Sequence, residues 1–550
     1  MANMNKKLEK QYQSMTALEH IGKKPDTYIG AIEVDDLETW ALNQDNTKFE
    51  HRNVKWVPGL YKCFDEAIVN ARDHAIRMQL SKEKKKHLVK NIEVSCIDGV
   101  IEIMNDGNGI DIAMHPKDKL WIPEMIFMHL RTSTNYDDEE KKLVGGKNGY
   151  GIKLVFVFAK WGEIETIDHI RKLKYTQRVE SNLSKIHPPK IEKYTGKPYT
   201  KVRWMPDYAK FGLDAMTSDI WSLLRKRAFD IAAVTSKSLK VKIQGKDIDI
   251  NSFGQYVDMY IGDKEDAPRI SQESDRWECI VGLSPLDEFS QVSFVNGIYT
   301  QKGGKHVDYI MGQIIRKLCA YIKQKKKIDV KPNTIKEQLL LFLRCDVDNP
   351  SFSSQTKDEL GTPSSKFGSQ CTVSDGFIEK IAKMGVMESA CALTEVKENK
   401  AAKKTDGSKT KSIRGIPKLI DANYAGTAKS NDCTIIFCEG DSAKAGIVSG
   451  LSKEDRNIIG VYPMKGKILN TRGEIVKKIA ENKEISEIKQ ILGLETNKNY
   501  EIDDVKTCLR YGKILFMTDQ DLDGSHIKGL GINLFQNQWN SLSKIPNFIG

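Results

Sequence analysis

The stretch Phe64-Asp65-Glu66-Ala67-Ile68-Val69-Asn70-Ala71-Arg72-Asp73-His74 constrains this chain more than any other. At about 100° per residue, Leu60, Phe64, Ala67, Ile68 and Ala71 share one helical face, and Glu66, Asn70 and Asp73 form a polar stripe on another. A carboxylate and an amide one turn apart can do two jobs together. Glu66 can polarise a water while Asn70 offers its carbonyl oxygen to a hard cation such as Mg²⁺. Standing alone, the same pattern reads as an amphipathic helix with a solvated face, so the remainder of the chain has to decide.

A chain of 550 residues exceeds a single core, which predicts about three domains. Its 40% hydrophobic and 29% charged residues are those of a soluble globular protein. No apolar run reaches the length of a membrane span and the Lys-rich start lacks the core of a signal peptide. The expectation is an intracellular protein, in the nucleus, the cytoplasm or a viral factory, with no membrane partner. The ten cysteines are scattered singly, without a CxxC pair, and read as reduced core thiols. Lys plus Arg, 85 against 74 acidic residues, gives +11, a mild pointer to a polyanionic partner that Lys323-Gln324-Lys325-Lys326-Lys327 sharpens locally.

Residues 1–30 read as a polar arm, helical to about Ile21 and turned at Pro25 to Gly30, with an apolar tip that has no core of its own and is free to dock on a neighbour. Alternation through Ile92, Val94, Val100, Ile101 and Ile103 predicts a hairpin ending in Asn105-Asp106-Gly107-Asn108-Gly109-Ile110. Either Asn105 or Asp106 can bond an exocyclic amine of a base there, although such a sequence is also an ordinary turn. Further on, Gly145-Gly146-Lys147-Asn148-Gly149-Tyr150-Gly151-Ile152-Lys153 supplies free N–H groups, close backbone approach and positive charge ahead of a helix, as a phosphate cradle requires. It is neither a P-loop nor a dinucleotide fingerprint, and alone it reads as a flexible glycine loop.

In this order, the Glu66/Asn70 helix, the Gly107/Gly109 turn and the Gly146–Gly151 lid resemble the Bergerat nucleotide fold of the gyrase, heat-shock chaperone, histidine kinase and mismatch-repair superfamily. Leu18-Glu19-His20-Ile21, Pro25-Asp26-Thr27-Tyr28-Ile29-Gly30, Val57-Pro58-Gly59-Leu60-Tyr61-Lys62 and Asn135-Tyr136-Asp137-Asp138 resemble the eukaryotic and viral type IIA DNA topoisomerases specifically. That resemblance implies ATP and Mg²⁺ as cofactors, with Glu66 as general base and Asn70 as ligand of the nucleotide's Mg²⁺. It places Asn105 at the nucleoside, Ser133, Thr134 and Asn135 near ribose and phosphates, and Gly146, Lys147, Asn148, Gly149, Tyr150, Gly151, Ile152 and Lys153 over the triphosphate. Tyr28 would reach a partner subunit's nucleotide site. Lys147 stands where Arg is frequent and Ile152 where a small residue is frequent.

From 236 to 395 a strand at Gln291–Gly297, a glycine loop and an amphipathic helix bearing Ile310, Ile314, Ile315 and Leu318 suggest a crossover in an α/β domain. By resemblance this is the transducer, with Gln355, Thr356 and Lys357 reaching back to the nucleotide, Gln355 and Lys357 onto the γ-phosphate. The Lys-rich residues 397–414 read as a flexible linker, within a linking segment 396–430. Beyond it, Thr434–Cys438 and Lys513–Thr518 are buried-type strands ending in Glu439-Gly440-Asp441 and Asp519-Gln520-Asp521-Leu522-Asp523-Gly524, and acidic clusters at the carboxyl ends of parallel strands sit where α/β sheets place ligands. The second cluster mimics an EF-hand loop but lacks its later bidentate Glu, and carboxylates without Cys or His suit Mg²⁺. The pattern resembles a TOPRIM domain, implying Glu439, Asp519 and Asp521 as metal ligands with Asp523 in support. Pro463-Met464-Lys465-Gly466-Lys467 is similar to the family's DNA-contacting loop, with Met464 in place of the commoner Leu.

The fold class implied is multidomain α/β: a 1–30 arm, a Bergerat (GHKL) α/β sandwich over 31–235, a ribosomal S5-like transducer over 236–395, the linker, and a Rossmann-like TOPRIM domain over 431–550, incomplete at its end. The implied function is that of an ATP-dependent type IIA topoisomerase acting on duplex DNA by double-strand passage, relaxation and decatenation, with a homodimeric N-gate and with Lys305, Lys465 and Lys467 meeting DNA. No tyrosine follows TOPRIM, so no DNA-cleaving nucleophile is assigned. Cleavage is expected to need a missing C-terminal region or a separate tyrosine-bearing subunit, and supercoiling is not expected. The alternative is a TOPRIM nuclease or primase-like enzyme coupled to a GHKL ATPase.

Overall fold

The computed structural model describes residues 15–83, 86–130, 132, 151–286 and 288–550, which divide into two compact units, residues 1–388 and residues 389–550. Among the described residues helix α1 (Ala17–Lys23) comes first, capped by Thr16 and Glu19 through reciprocal side-chain bonds. The apolar tip of the arm does not lack a core: Ile21 and Ile29 are fully buried in that of their own unit. Glycine at 59 makes the room, since a Cβ there would lie 2.9 Å from Ile29 Cδ1. A hairpin of β1 (Asp35–Leu42) and β2 (Phe49–Trp56) follows, then α2 (Pro58–Leu80), whose first turn holds Pro58.

The pair β3 (Asn91–Ile97) and β4 (Val100–Asp106) is antiparallel as predicted, with Ile92, Val94, Ile101 and Ile103 on the buried face. After α3 (Gly151–Val157) come β5 (Ala159–Asp168), β6 (Leu173–Glu180), β7 (Lys185–Ile186), β8 (Lys190–Lys193), β9 (Tyr199–Pro206), α4 (Ser218–Ala233), β10 (Lys240–Ile243) and β11 (Lys246–Asp247). They build a nine-stranded sheet in the order β11-β10-β3-β4-β9-β5-β6-β7, with β8 on β6. The apolar sides of α2, α3 and α4 pack on it through Phe64, Ile68, Val155, Leu224 and Ala228. The expected domain boundary at 236 is therefore too early. Residues 240–243 run parallel to β3 and, with β11 antiparallel beside them, extend the first sheet by two strands.

The second sheet of this unit contains β12 (Arg269–Ser274), β13 (Trp277–Leu283), β14 (Ser290–Val295) and β15 (Ile298–Tyr299). A two-residue strand β16 (Gly303–Gly304) leads into α5 (Lys305–Lys326), then β17 (Leu339–Cys345) and β18 (Glu359–Leu360). The order is β12-β13-β17-β14-β15, with β14 and β17 parallel, so the expected crossover exists with α5 inside it. Leu339 through Leu343 are completely buried, as a strand covered on both faces requires. The loop between β17 and β18 carries Gln355, Thr356 and Lys357.

Gly385 (φ 115°) interrupts the helical path just before α6 (Met387–Lys403). The stretch 397–414 is thus not a flexible linker. It is helical to Lys403, and beyond that its backbone is bonded into the second unit: Gly407 N–H donates to Leu494 O at 2.8 Å and Thr410 O accepts from Arg510 at 2.7 Å. In the second unit β19 (Thr434–Glu439), α7 (Gly440–Gly450), β20 (Ile459–Met464), α8 (Lys483–Leu492), β21 (Lys513–Met517) and α9 (Leu522–Gln538) surround a parallel sheet ordered β20-β19-β21. Ile435, Phe437, Tyr462, Ile514 and Leu534 form its core. All ten cysteines are free thiols, and among the described residues no helix is long and apolar enough to cross a membrane.

Candidate nucleotide and metal sites

A cavity of about 410 Å³ opens between α2, the sheet, the start of α3 and the β17–β18 loop. Of the expected nucleotide residues it is lined by Glu66, Asn70, Asn105, Gly151, Ile152, Lys153, Gln355 and Lys357. Ser133, Thr134, Asn135, Gly146, Lys147, Asn148, Gly149 and Tyr150 lie outside the described residues. Thr356 does not reach the cavity: its hydroxyl bonds Asp358 at 3.1 Å within its own loop. Asp106 is equally committed elsewhere, accepting the Lys90 and Asn91 N–H groups at 2.6 and 2.9 Å, which leaves Asn105 as the residue of the pair at the cavity. Gly109 sits where a Cβ would fall 1.7 Å from Ile167 O, so the turn is built on close backbone approach.

Sequence reasoning missed the apolar wall of Ile103, Ile126, Phe127 and Val202. The inward alternation of β4 carried a signal for Ile103, whereas Val202 reaches the wall only through the non-local pairing of β9 with β4.

Glu66 is 5% exposed and its Oε1 accepts from two ammoniums, Lys357 Nζ and Lys62 Nζ, each at 2.9 Å. Burial by itself raises the Glu66 carboxyl, but Lys357 and Lys62 outweigh it and hold the group below its usual range, against a smaller opposing push from Asp65. The other oxygen, Oε2, faces Gly151, where a Cβ would lie 2.4 Å away. Lys357 adopts a left-handed backbone (φ 63°), an uncommon conformation for a residue with a Cβ, in placing its ammonium across the cavity. Lys153 is buried, donates to Thr132 O at 2.5 Å, and its ammonium is pushed down to about 8 by that burial.

The polar stripe predicted on α2 is not solvated, since Glu66 and Asp73 are both buried. Nor are the charges it omitted: Lys62, Asp65 and Arg72 are buried as well. Lys62 also donates to Asp65 Oδ2 at 2.9 Å, Asp65 Oδ1 receives Arg227 Nε at 2.7 Å, and Arg227 Nη2 donates to Gly297 O at 2.8 Å. Tyr28 bonds His20 of its own chain at 3.0 Å.

In the second unit the register sets Cys438 beside Met517, so Glu439 and the Asp519–Asp523 run leave adjacent ends of parallel strands, as expected. Asp521 Oδ1 caps α9 through Gly524 N–H at 2.6 Å, and Asp523 pairs with Lys467 at 2.9 Å. Glu439 Oε2 is buried without a hydrogen-bond partner, which is the condition a bound cation relieves. Among the described residues no three carboxylates close into a metal-holding group. Lys305, Lys465 and Lys467 are exposed.

A DNA gyrase B family model matches residues 252–411 and a Toprim domain model residues 434–547. DNA topoisomerase 2 of Candida glabrata is 42% identical over 99% of this chain, and that of Arabidopsis thaliana 43% identical over 99%. The chain spans 39% and 37% of the length of these two relatives. The crystal structure of the ATPase region of Saccharomyces cerevisiae topoisomerase II superimposes with a TM-score of 0.66 at 39% identity, covering 70% of this chain and 99% of that one. The ATPase and transducer domains of DNA topoisomerase II from Balamuthia mandrillaris superimpose with a TM-score of 0.65 at 34% identity, covering 71% and 98%. Similarity that runs through both units at once removes the nuclease or primase alternative, and the chain belongs to the DNA topoisomerase II family, carrying its ATPase, transducer and Toprim regions.

Proposed function

We propose that the first unit binds and hydrolyses ATP, with Glu66 as general base, and that this turnover operates a dimeric gate through which duplex DNA passes. One observation carries the reading: Lys357, 291 residues from Glu66 in sequence, stands 2.9 Å from it inside a cavity that also holds Asn70, Asn105 and Lys153. The apolar wall receives the base beside Asn105, and the triphosphate lies toward Gly151 and Lys153. Lys357 and Gln355 meet the γ-phosphate, where an ammonium offsets the charge that develops in transfer. Glu66 Oε2, turned to the cavity, takes the proton of the attacking water. Asn70 would hold the nucleotide's Mg²⁺, an ion that neutralises phosphate charge.

We propose that Glu439, Asp519 and Asp521, with Asp523 in support, would draw together around a second Mg²⁺, a reading supported by the unpartnered Glu439 Oε2 and an all-oxygen donor set. Such an ion supplies electrostatic stabilisation at a DNA phosphate. The exposed Lys465 and Lys467 bind the DNA backbone nearby, and Lys305 binds it within the transducer. Relaxation and decatenation by double-strand passage are proposed for the assembly that includes a cleaving tyrosine, and Tyr28 is proposed as a contact to a second copy's nucleotide.

Glu66→Gln tests the catalytic assignment. ATP turnover is expected to fall about 10²- to 10⁴-fold while nucleotide binding persists, the scale of a lost general base. Unchanged turnover overturns it. The gate is tested by turnover against protein concentration, with and without linear duplex DNA. A rise with concentration and stimulation by DNA are expected, and independence from both contradicts a dimeric gate.

A further inference from the structure

Glu66 Oε1 holds two ammoniums of different origin. Lys357 comes from the β17–β18 loop, whereas Lys62 lies four residues upstream on the same helix as Glu66. A loop residue that turns to a phosphate leaves the carboxylate, but a neighbour one turn away on a buried helix does not. Lys62 is itself 4% exposed and spans Asp65 Oδ2 and Glu66 Oε1, at 2.9 Å each. These two buried carboxylates are adjacent in sequence, and without a cation between them their repulsion would drive Glu66 to turn away or take up a proton. Asp65 in turn is fixed by Arg227, which is fully buried and anchored on Gly297 O in the β14–β15 turn. Lys62 therefore has one end of its bridge locked to the second sheet and the other on the proposed base.

We propose that Lys62 is a positioning residue of the hydrolytic site: it holds Glu66 ionised, with Oε1 turned to the lysines and Oε2 turned to the cavity, independently of where Lys357 sits. The inference rests on the reading of Glu66 as the general base. The other groups around that carboxylate do not replace Lys62. Cys63 is a buried thiol pushed upward by its own burial, Asn70 is neutral, and Lys153 donates to Thr132 O.

The test uses the whole 550-residue chain. Lys62→Met, which keeps the length of the stem and removes the charge, is expected to lower turnover at saturating ATP about 10- to 100-fold, the range of a mispositioned group. Equilibrium binding of a non-hydrolysable ATP analogue should stay within about twofold, because Lys62 is not among the residues lining the cavity. Turnover within about twofold of the parent overturns the proposal, as does joint loss of turnover and binding. Thermal melting monitors folding. If Lys62→Met does not fold, Lys62→Gln, which keeps an amide donor for the carboxylates, carries the same expectation, and failure of both to fold assigns Lys62 a structural role and overturns the proposal. Glu66→Gln separates the two readings: if it retains turnover the general-base assignment fails, and if it is inactive while Lys62→Met is normal only the present inference fails.

Discussion

At the scale of single residues, the site depends on a missing methyl and a buried ammonium. Any Cβ at position 151 must displace Glu66 Oε2, 2.4 Å from where it would sit, and the carboxylate cannot retreat because two lysines hold its other oxygen. Gly151→Ala is therefore expected to cost about 10²-fold in turnover, with nucleotide affinity changed much less, as measured by steady-state kinetics alongside equilibrium binding. Lys153 gives a pH dependence. Its burial lowers the ammonium to about 8, so below that pH it is charged before nucleotide arrives, and above it binding must first take up a proton. Affinity for the triphosphate is expected to be flat below about pH 8 and to weaken above it, by up to about tenfold per unit. Lys153→Met should bind more weakly at neutral pH and lose that dependence, which calorimetric titration across the range will show. Helical period set Glu66 and Asn70 on one polar stripe and a turn motif offered Asn105 or Asp106, but it was the family resemblance that singled out Glu66, Asn70 and Asn105, and the structure sets these three at one cavity. Neither pattern nor resemblance singled out Lys62, Asp65 and Arg227. A charged residue on a helix reads as solvated by default, and nothing local announces that Arg227 arrives from 162 positions away.

At the scale of elements, local pattern carried furthest. The β3–β4 hairpin, the β14 strand with the α5 helix of its crossover, and the two Toprim strands with acidic ends stand where alternation and length put them, whereas the return strand β17 had not been located. What escaped was non-local or masked by composition. Lys240–Ile243 is too short and too basic to advertise itself as a strand, and only its parallel partner β3 makes it one. The Lys-rich run 397–414, which covers the end of α6 and the segment beyond it, resembled a linker because composition does not record partners. Asp406 within it pairs with the buried Lys489 of α8 at 2.7 Å, while Lys489 also donates to Ala402 O and to the hydroxyls of Thr405 and Thr496. Removing one partner of a buried pair strands the other charge. Lys489→Met is expected to destabilise the second unit by about 3 kcal/mol, seen as a lower denaturation midpoint for that unit, with nucleotide binding by the first unit unchanged.

At the scale of the whole molecule, every described residue that lines the nucleotide cavity lies at or before Lys357, inside the first unit, and that includes the lysine on the loop that leaves strand β17 of the second sheet. The two sheets of that unit share one continuous core, in which Phe294 and Phe342 belong to the same cluster as Phe64 and Ile68. A cut that kept the Bergerat sheet and discarded the second sheet would remove Lys357, expose that shared core and leave Arg227 without its Gly297 carbonyl. A cut after the second sheet leaves all three intact, and the left-handed Gly385 marks a place where the helical path is already broken before α6 begins. Residues 1–386 expressed alone are accordingly expected to bind an ATP analogue within about twofold of the full chain, on the principle that distant sites without shared partners contribute independently. Residues 1–250, ending after β11, should lose tight binding and expose apolar surface to a hydrophobic dye. Full affinity in the shorter piece would mean that the second sheet lends the site nothing. Lost affinity in the longer one would mean that the second unit helps to build a cavity whose described walls all belong to the first.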